Sequence, residues 1–213
     1  MNVLRITEIF YSLQGESSTS GCPTIFIRLT GCPLRCQYCD TAYAFQGGQK
    51  KSFDEILQEI QKYRCKRICV TGGEPLAQAA CYPFLKFLSD HGYQVSVETS
   101  GARSIENIDP RIMLVMDLKT PDSKEEPRNL YENIPLLKPQ DQVKFVICSR
   151  EDFEWSKKIL KEYSFPKDVD ILFSPSWQQV KPTELAQWIL DDELDVRFQI
   201  QLHKILWQDC PGR

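Results

Sequence analysis

The residues of this chain best suited to chemistry are three cysteines in one short segment. Cys32, Cys36 and Cys39 form C-x3-C-x2-C within GCPLRCQYCD, a spacing that lets three thiolates converge on a metal centre from a single loop. Structural zinc sites close with four protein ligands, and cubane iron–sulfur clusters usually take four cysteines. The local count here is three. A cluster held by three would keep one iron open to a ligand from outside the protein, and open positions belong to reactive centres. The plainer reading is a zinc knot completed by Cys22, Asp40 or His203. The chain has nine cysteines, an odd number, which fits thiols and ligands of a reducing compartment better than a disulfide framework. Cys65, Cys69, Cys81, Cys148 and Cys210 read as ordinary residues, small hydrophobes where they fall in strands.

A scaffold must hold such a loop still. Strand-like runs occur at residues 24–30 (TIFIRLT), 67–71 (RICVT), 94–99 (QVSVET), 112–118 (IMLVMDL), 142–147 (QVKFVI), 170–174 (DILFS) and 196–202 (VRFQIQL). Between them lie helical faces: Phe53, Ile56, Leu57, Ile60; Phe84, Leu85, Leu88; Phe153, Ile159, Leu160; and Leu185, Trp188, Ile189. Residues 120–139 are polar and proline-bearing, a long loop with a short helix. Alternating strands and helices imply a parallel sheet covered by helices. About six βα units fall short of the eight of a closed barrel, so the expected fold is a partial, open parallel β/α barrel, with a doubly wound sheet as the alternative. Nothing marks an internal boundary, so residues 1–213 read as one domain. The polar motifs all follow strands: the cysteines, Gly72-Gly73-Glu74-Pro75, Glu98-Thr99-Ser100-Gly101, Asp117 with Lys119, and Ser174-Pro175. In parallel α/β folds the carboxyl ends of strands form the site face, and this convergence is the strongest functional signal in the chain.

Composition narrows the classes. Hydrophobic residues make up 42% of the chain, enough for a core. A net charge of -3 with a pI near 5.5 argues against a broad phosphate-binding surface and hence against nucleic acid as partner. No apolar run is long enough to span a membrane, and the N-terminal stretch, with Glu8 inside its apolar part, lacks a secretory layout. A cytoplasmic location is expected.

Two motifs carry a resemblance. Cys32-x3-Cys36-x-Tyr38-Cys39 and Thr71-Gly72-Gly73-Glu74-Pro75 resemble the cysteine signature and the GGEP motif of the radical S-adenosylmethionine superfamily. More specifically, FYSLQGE at 10–16, FIRL at 26–29, CDT at 39–41, ETSG at 98–101 and LHK at 202–204 resemble the 7-carboxy-7-deazaguanine synthase family, across residues 10 to 204. The resemblance implies a barrel of the radical S-adenosylmethionine type and one [4Fe-4S] cluster on Cys32, Cys36 and Cys39. S-adenosylmethionine (SAM) would bind at the open iron and Mg2+ at Thr41, completed by a substrate carboxylate. It further implies radical ring contraction of 6-carboxy-5,6,7,8-tetrahydropterin to 7-carboxy-7-deazaguanine with release of ammonia, on the route to queuosine and related deazapurines. Contacts to SAM would come from Tyr38, Cys39, Asp40, Gly72, Gly73, Glu74, Gly101, Gln142, Val143 and Lys144. Contacts to the pterin would come from Leu13, Gln14, Gly15, Glu16, Arg28 and Thr99, with Pro211 of the tail near the substrate. A homodimer and a reductant protein of the flavodoxin kind are implied as partners.

Each residue also has a plainer reading. Arg28 shares a strand face with Phe26 and Thr30; inside a barrel it needs a partner, either a substrate carboxylate or an internal acid such as Glu98. Thr41 is otherwise a loop threonine, GGEP a strand-to-helix turn, and the 13–16 segment a polar turn. Lys144 reads alternatively as a solvent-facing strand lysine, Asp117 and Lys119 as an ion pair, His203 as a satisfied core histidine. Ser17 stands where the family usually has glycine, which implies a differently shaped loop. Two other functions compete: a glycyl-radical activase, sharing the cysteine and GGEP signals but acting on a protein, and a non-catalytic zinc module.

Overall fold

The computed structural model describes residues 2–208, 210 and 212. A hairpin of β1 (Val3–Leu13) and β2 (Pro23–Leu29) opens the sheet, and β3 (Gln49–Ser52) pairs antiparallel with β1. From β2 onward the sheet is parallel, continuing through β4 (Arg67–Gly72), β5 (Gln94–Thr99), β6 (Met113–Asp117), β7 (Gln142–Ile147), β8 (Asp170–Pro175) and β9 (Arg197–Phe198). The nine strands stand in the order β3-β1-β2-β4-β5-β6-β7-β8-β9. The edge strands β3 and β9 do not pair, which leaves a partial, open barrel.

Helices α1 (Phe53–Ile60), α2 (Cys81–Asp90), α3 (Arg150–Glu162) and α4 (Pro182–Asp191) cover the outside. Their buried faces are those that the spacing of apolar residues predicts: Phe53, Ile56 and Ile60; Phe84, Leu85 and Leu88; Phe153 and Ile159; Leu185 and Ile189. Ser52 and Glu55 form a capping box that starts α1. Strand alternation divides β2 as its sequence requires: Ile25, Ile27 and Leu29 are fully buried beneath the helices, whereas Phe26 and Arg28 face the barrel interior. No helix among the described residues is long and apolar enough to cross a membrane.

Four segments differ from expectation. Strand β1 carries a register shift between Ile6 and Glu8, a bulge that breaks the two-residue period and hides the strand from pattern reading. Strand β3 (QKKS) is a short lysine-bearing edge, polar throughout. Residues 196–202 give only the two-residue β9, then turn into a short helix, α5 (Leu202–Trp207). Residues 120–139 hold three 3-10 turns, Pro121–Ser123, Glu126–Arg128 and Tyr131–Leu136, and no α-helix; each turn contains a proline, which limits helix growth.

That loop is pinned by buried polar side chains. Asp152, wholly buried, accepts from the Thr120 hydroxyl at 2.9 Å and from the Asp122 and Cys148 N–H groups at 3.0 Å each. Asn129 clamps Lys119, accepting from its N–H and donating to its carbonyl, both at 2.9 Å. Asn133 donates to the Gly101 and Arg103 carbonyls at 3.1 and 2.9 Å. Removing the Asp152 carboxylate strands buried donors, each costing about 1–3 kcal/mol. Asp152→Ala is therefore expected to lose roughly 3 kcal/mol, read as a lower urea midpoint, and Asp152→Asn to lose less.

Candidate active site

A cavity of about 460 Å³ opens at the carboxyl ends of the parallel strands. Its wall includes Leu13, Gln14, Gly15, Glu16, Arg28, Cys32, Cys36, Tyr38, Cys39, Asp40, Thr41, Gly72, Gly73, Thr99 and Lys144. Fifteen of the nineteen residues singled out from sequence for metal, SAM or pterin thus meet in one place. Glu74, Gly101, Gln142 and Val143 do not reach the wall. Val143 points outward into the core, fully buried, on the face opposite Lys144. Gln142 shares the Lys144 face but sits at the far end of the strand, accepting from the Ser18 N–H at 2.9 Å.

The cysteine loop follows β2 and is shaped by Arg35, whose guanidinium donates to the Cys32 and Leu34 carbonyls at 2.8 and 2.6 Å and lies 4.2 Å from the Phe45 ring centroid. The Cys32 Sγ accepts from the Leu34 N–H at 3.4 Å. Burial, with smaller contributions from neighbouring acids, pushes the Cys32 thiol up and the Cys36 thiol up to about 11; a bound metal centre reverses this by taking the thiolate form. Among the described residues no group of three or more His, Cys, Asp or Glu side chains is arranged to hold a single metal ion. A zinc ion draws sulfurs to about 2.3 Å from one point, whereas a cubane spreads three thiolates over three irons. None of the candidates for a fourth zinc ligand groups with the cysteines among the described residues. Cys22 lies at the opposite end of β2, about 20 Å of strand away. Asp40 pairs with Lys204 at 3.0 Å, and His203 packs on Gly15, where a Cβ would stand 2.1 Å from Nδ1. The donor set fits three corners of an iron–sulfur cluster better than a zinc knot.

Gly73 brings the turn after β4 against this loop: a Cβ there would lie 2.4 Å from the Gly31 carbonyl oxygen and 2.5 Å from the Cys32 Cβ. Glu74, buried, locks the same turn. It accepts from the Leu76 N–H at 2.9 Å, the Thr99 hydroxyl at 2.9 Å, the Ser100 N–H at 2.7 Å and the Ser100 hydroxyl at 2.5 Å, so it ties the ends of β4 and β5 together.

The opposite wall is charged. Arg28 Nε donates to Glu8 Oε1 at 2.6 Å; the internal acid beside it is Glu8, its partner in the β1–β2 register, not Glu98, which instead accepts from Gln14 Nε2 at 3.2 Å and the Thr71 hydroxyl at 3.0 Å. The Lys144 side chain, 12% exposed, is ion-paired with Glu16, with Asp117 at 3.5 Å, which overturns the solvent-facing reading. Burial opposes both charges, yet the Lys144 ammonium holds Glu16 below the usual carboxylate range, and Glu16 and Asp117 raise Lys144. Asp117 and Lys119 do pair, at 3.1 Å, but as part of the cavity wall. Asp117 Oδ1 and the Tyr38 hydroxyl are buried without a hydrogen-bond partner among the described residues.

Sequence reasoning missed the contribution of residues 199–204. The Ser17 N–H donates to Gln199 Oε1 at 2.9 Å, Gln201 Nε2 to Glu16 Oε1 at 2.9 Å, and the Leu202 N–H to the Gly15 carbonyl at 2.9 Å. Gln201, His203 and Lys204 reach the cavity wall. The only sequence signal was LHK at 202–204, since the contacts are long-range. Pro211 lies outside the described residues. Ser17 keeps a left-handed backbone, φ 67°, and is buried, so the loop holds a glycine-like conformation despite the serine.

Two outcomes follow. Gly73→Ala is expected to fold, by circular dichroism, but to displace the cysteine loop and take up markedly less iron on anaerobic reconstitution. Ser17→Val, a β-branched residue at positive φ in a filled site, is expected to cost roughly 2 kcal/mol in thermal or urea unfolding, and Ser17→Gly to stay within about 1 kcal/mol of the parent.

The profile of the Radical SAM superfamily matches residues 26–164. The chain is 42% identical over 219 residues to a 7-carboxy-7-deazaguanine synthase of Koribacter versatilis, covering 96% of this chain and 97% of that one. It is 39% identical to a protein of the same name from Chlorobaculum tepidum, covering 96% and 94%. The crystal structure of QueE from Escherichia coli superposes with a TM-score of 0.79 at 24% identity, over 94% of this chain and 95% of that one, a likeness of fold. With near-complete coverage at such identity, and with its three cysteines and charged wall facing one cavity, the chain belongs to the 7-carboxy-7-deazaguanine synthase family of the radical SAM superfamily.

Proposed function

We infer that the chain catalyses ring contraction of 6-carboxy-5,6,7,8-tetrahydropterin to 7-carboxy-7-deazaguanine with release of ammonia, a step towards queuosine and related deazapurines. The observation that carries this reading is a single cavity with the cysteine loop on one wall and Arg28, Gln14, Glu16, Thr99 and Lys144 on another. A glycyl-radical activase, whose substrate is a protein, needs no such enclosed set of groups for a small carboxylated heterocycle.

Cys32, Cys36 and Cys39 would hold three irons of a [4Fe-4S] cluster and leave the fourth free. When bound, the cluster and SAM supply reductive radical chemistry that removes and returns hydrogen at C6 of the pterin. The protein's own part is binding, orientation and exclusion of water. The half-buried backbone of Gly72 and Gly73 lines the space for the methionine end of SAM, and Tyr38, Cys39, Asp40 and Lys144 border the same space. Glu74, saturated by four protein donors, and Gly101, whose carbonyl is held by Asn133, act from behind the wall by fixing its shape. Arg28 presents its terminal nitrogens to the substrate carboxylate. Gln14 and Glu16, on the loop with Leu13 and Gly15, meet the amide and amino edge of the pterin, and Thr99 closes the floor. Thr41, whose hydroxyl donates to Asp40 at 2.8 Å, retains oxygen lone pairs for Mg2+, a hard cation that also draws on substrate oxygens. The reading takes the chain as one catalytic unit, which the single nine-stranded sheet supports. It adds a flavodoxin-like electron donor and a homodimeric assembly, both on the strength of the family resemblance.

Anaerobically purified protein is expected to be brown, with about four irons and four sulfides per chain. Supplied with the carboxypterin, SAM, Mg2+ and a reductant, it is expected to yield 7-carboxy-7-deazaguanine; a cluster-loaded protein that cleaves SAM but gives no deazaguanine would remove the reading. Arg28→Ala is expected to lose pterin turnover while still cleaving SAM slowly, and Arg28→Lys to rescue little, because an ammonium cannot reproduce the bidentate fork.

A further inference from the structure

We propose that Glu8 and Tyr43 are positioning residues that set Arg28 in the orientation that receives the substrate carboxylate, a proposal that rests on Arg28 as the carboxylate-binding residue. The shift in register between Ile6 and Glu8 places Glu8 opposite Arg28 across the hairpin, on the cavity side of a strand whose Leu4 and Ile6 lie in the core. Without that bulge the strand period would turn residue 8 to the same face as Leu4 and Ile6. Glu8 Oε1 takes two donors: Arg28 Nε at 2.6 Å and the Tyr43 hydroxyl at 2.8 Å. The guanidinium carbon also lies 5.7 Å from the Phe10 ring centroid and 5.9 Å from that of Tyr43. The guanidinium is therefore held through Nε and against the Phe10 and Tyr43 rings. Among the described residues no protein group accepts a hydrogen bond from its two terminal nitrogens. With Nε occupied, the side-on pairing through Nε is closed to a ligand, and the end-on fork of the two terminal nitrogens is what remains for a carboxylate.

Glu8 also has a cost. Its negative charge sits beside the position assigned to an anionic ligand, so mere electrostatic attraction of the substrate would favour its absence. Its retention makes sense if orientation matters more than added positive charge, as expected where alignment of reacting atoms sets the rate.

The test uses the cluster-loaded protein with SAM and Mg2+ but no reductant, so that nothing turns over. Equilibrium affinity is measured calorimetrically for 6-carboxytetrahydropterin and for tetrahydropterin lacking the carboxyl group. Glu8→Ala is expected to weaken binding of the carboxylated ligand about tenfold or more, the scale of a charge-assisted hydrogen bond, and to change the uncarboxylated ligand by less than about twofold. Glu8→Gln, which keeps an acceptor for Nε, is expected to retain the discrimination. Tyr43→Phe, a change on a side chain 45% exposed, is expected to lose a few-fold of it and keeps the question open to decision if Glu8→Ala folds poorly. Equal weakening of both ligands by Glu8→Ala and Tyr43→Phe, while Arg28→Ala weakens the carboxylated ligand alone, would overturn the proposal and leave Arg28 in its role. Loss in Glu8→Gln as large as in Glu8→Ala would overturn it as well. If Arg28→Ala weakens both ligands equally, the underlying assignment of Arg28 is wrong and the proposal goes with it.

Discussion

Charge buried inside a barrel must be matched, and this one requirement organises the interior. Arg28, Lys119 and Lys144 each project into a cavity walled by low-dielectric strands, where an unpaired ion costs several kcal/mol. Each has found an acid on a neighbouring strand or loop: Glu8, Asp117 and Glu16 respectively. The acids are drawn from β1, β6 and the loop after β1, and the Glu16–Lys144 pair joins the start of the sheet to β7. Pairing of this kind adds little net stability over a well-packed apolar core. Its value lies in leaving polar groups poised at fixed positions, with Asp117 Oδ1 and the Tyr38 hydroxyl still unspent.

The loops that carry the remaining groups obey the same logic with neutral donors. Glu74 joins the ends of β4 and β5, Asn129 clamps Lys119, Asn133 holds Gly101, and Asp152 anchors the segment beginning at Thr120. Irregular backbone at the mouth of a barrel cannot satisfy itself through ladders, so side chains that look unremarkable in sequence do that work. The result is a rigid rim, suited to a reaction in which a reactive intermediate must be kept from water.

Much of this was legible beforehand, for identifiable reasons. Every covering helix announced itself through apolar spacing, and the cysteine, GGEP and ETSG segments fell at strand ends because only there do consecutive loops share one edge. Gly73 and Arg28 could be placed from local pattern alone. What escaped notice depends on distance or on broken periodicity. The bulge in β1 hides a strand and aims Glu8 inward. The lysine-rich β3 has no apolar signature. For Lys144 the solvent-facing alternative stands open in the sequence because its partner, Glu16, lies 128 positions away. Glu74 and Asp117 were recognised, but their roles as clamp and as cavity wall depend on neighbours that no local pattern reveals.

The charged wall of the cavity joins two distant parts of the described sequence: Glu16 and the adjacent Ser17 are braced by Gln201 and Gln199 across separations of 185 and 182 residues. At ribosomal speeds of about 5–20 residues per second, roughly ten to forty seconds pass between emergence of the two sides. Throughout that interval the cysteine loop is already made while the chamber around it is unfinished. Delivery of iron to a nascent chain would therefore place an oxygen-labile centre in an unroofed vessel, so maturation is best served by waiting for the last turn of helix to dock.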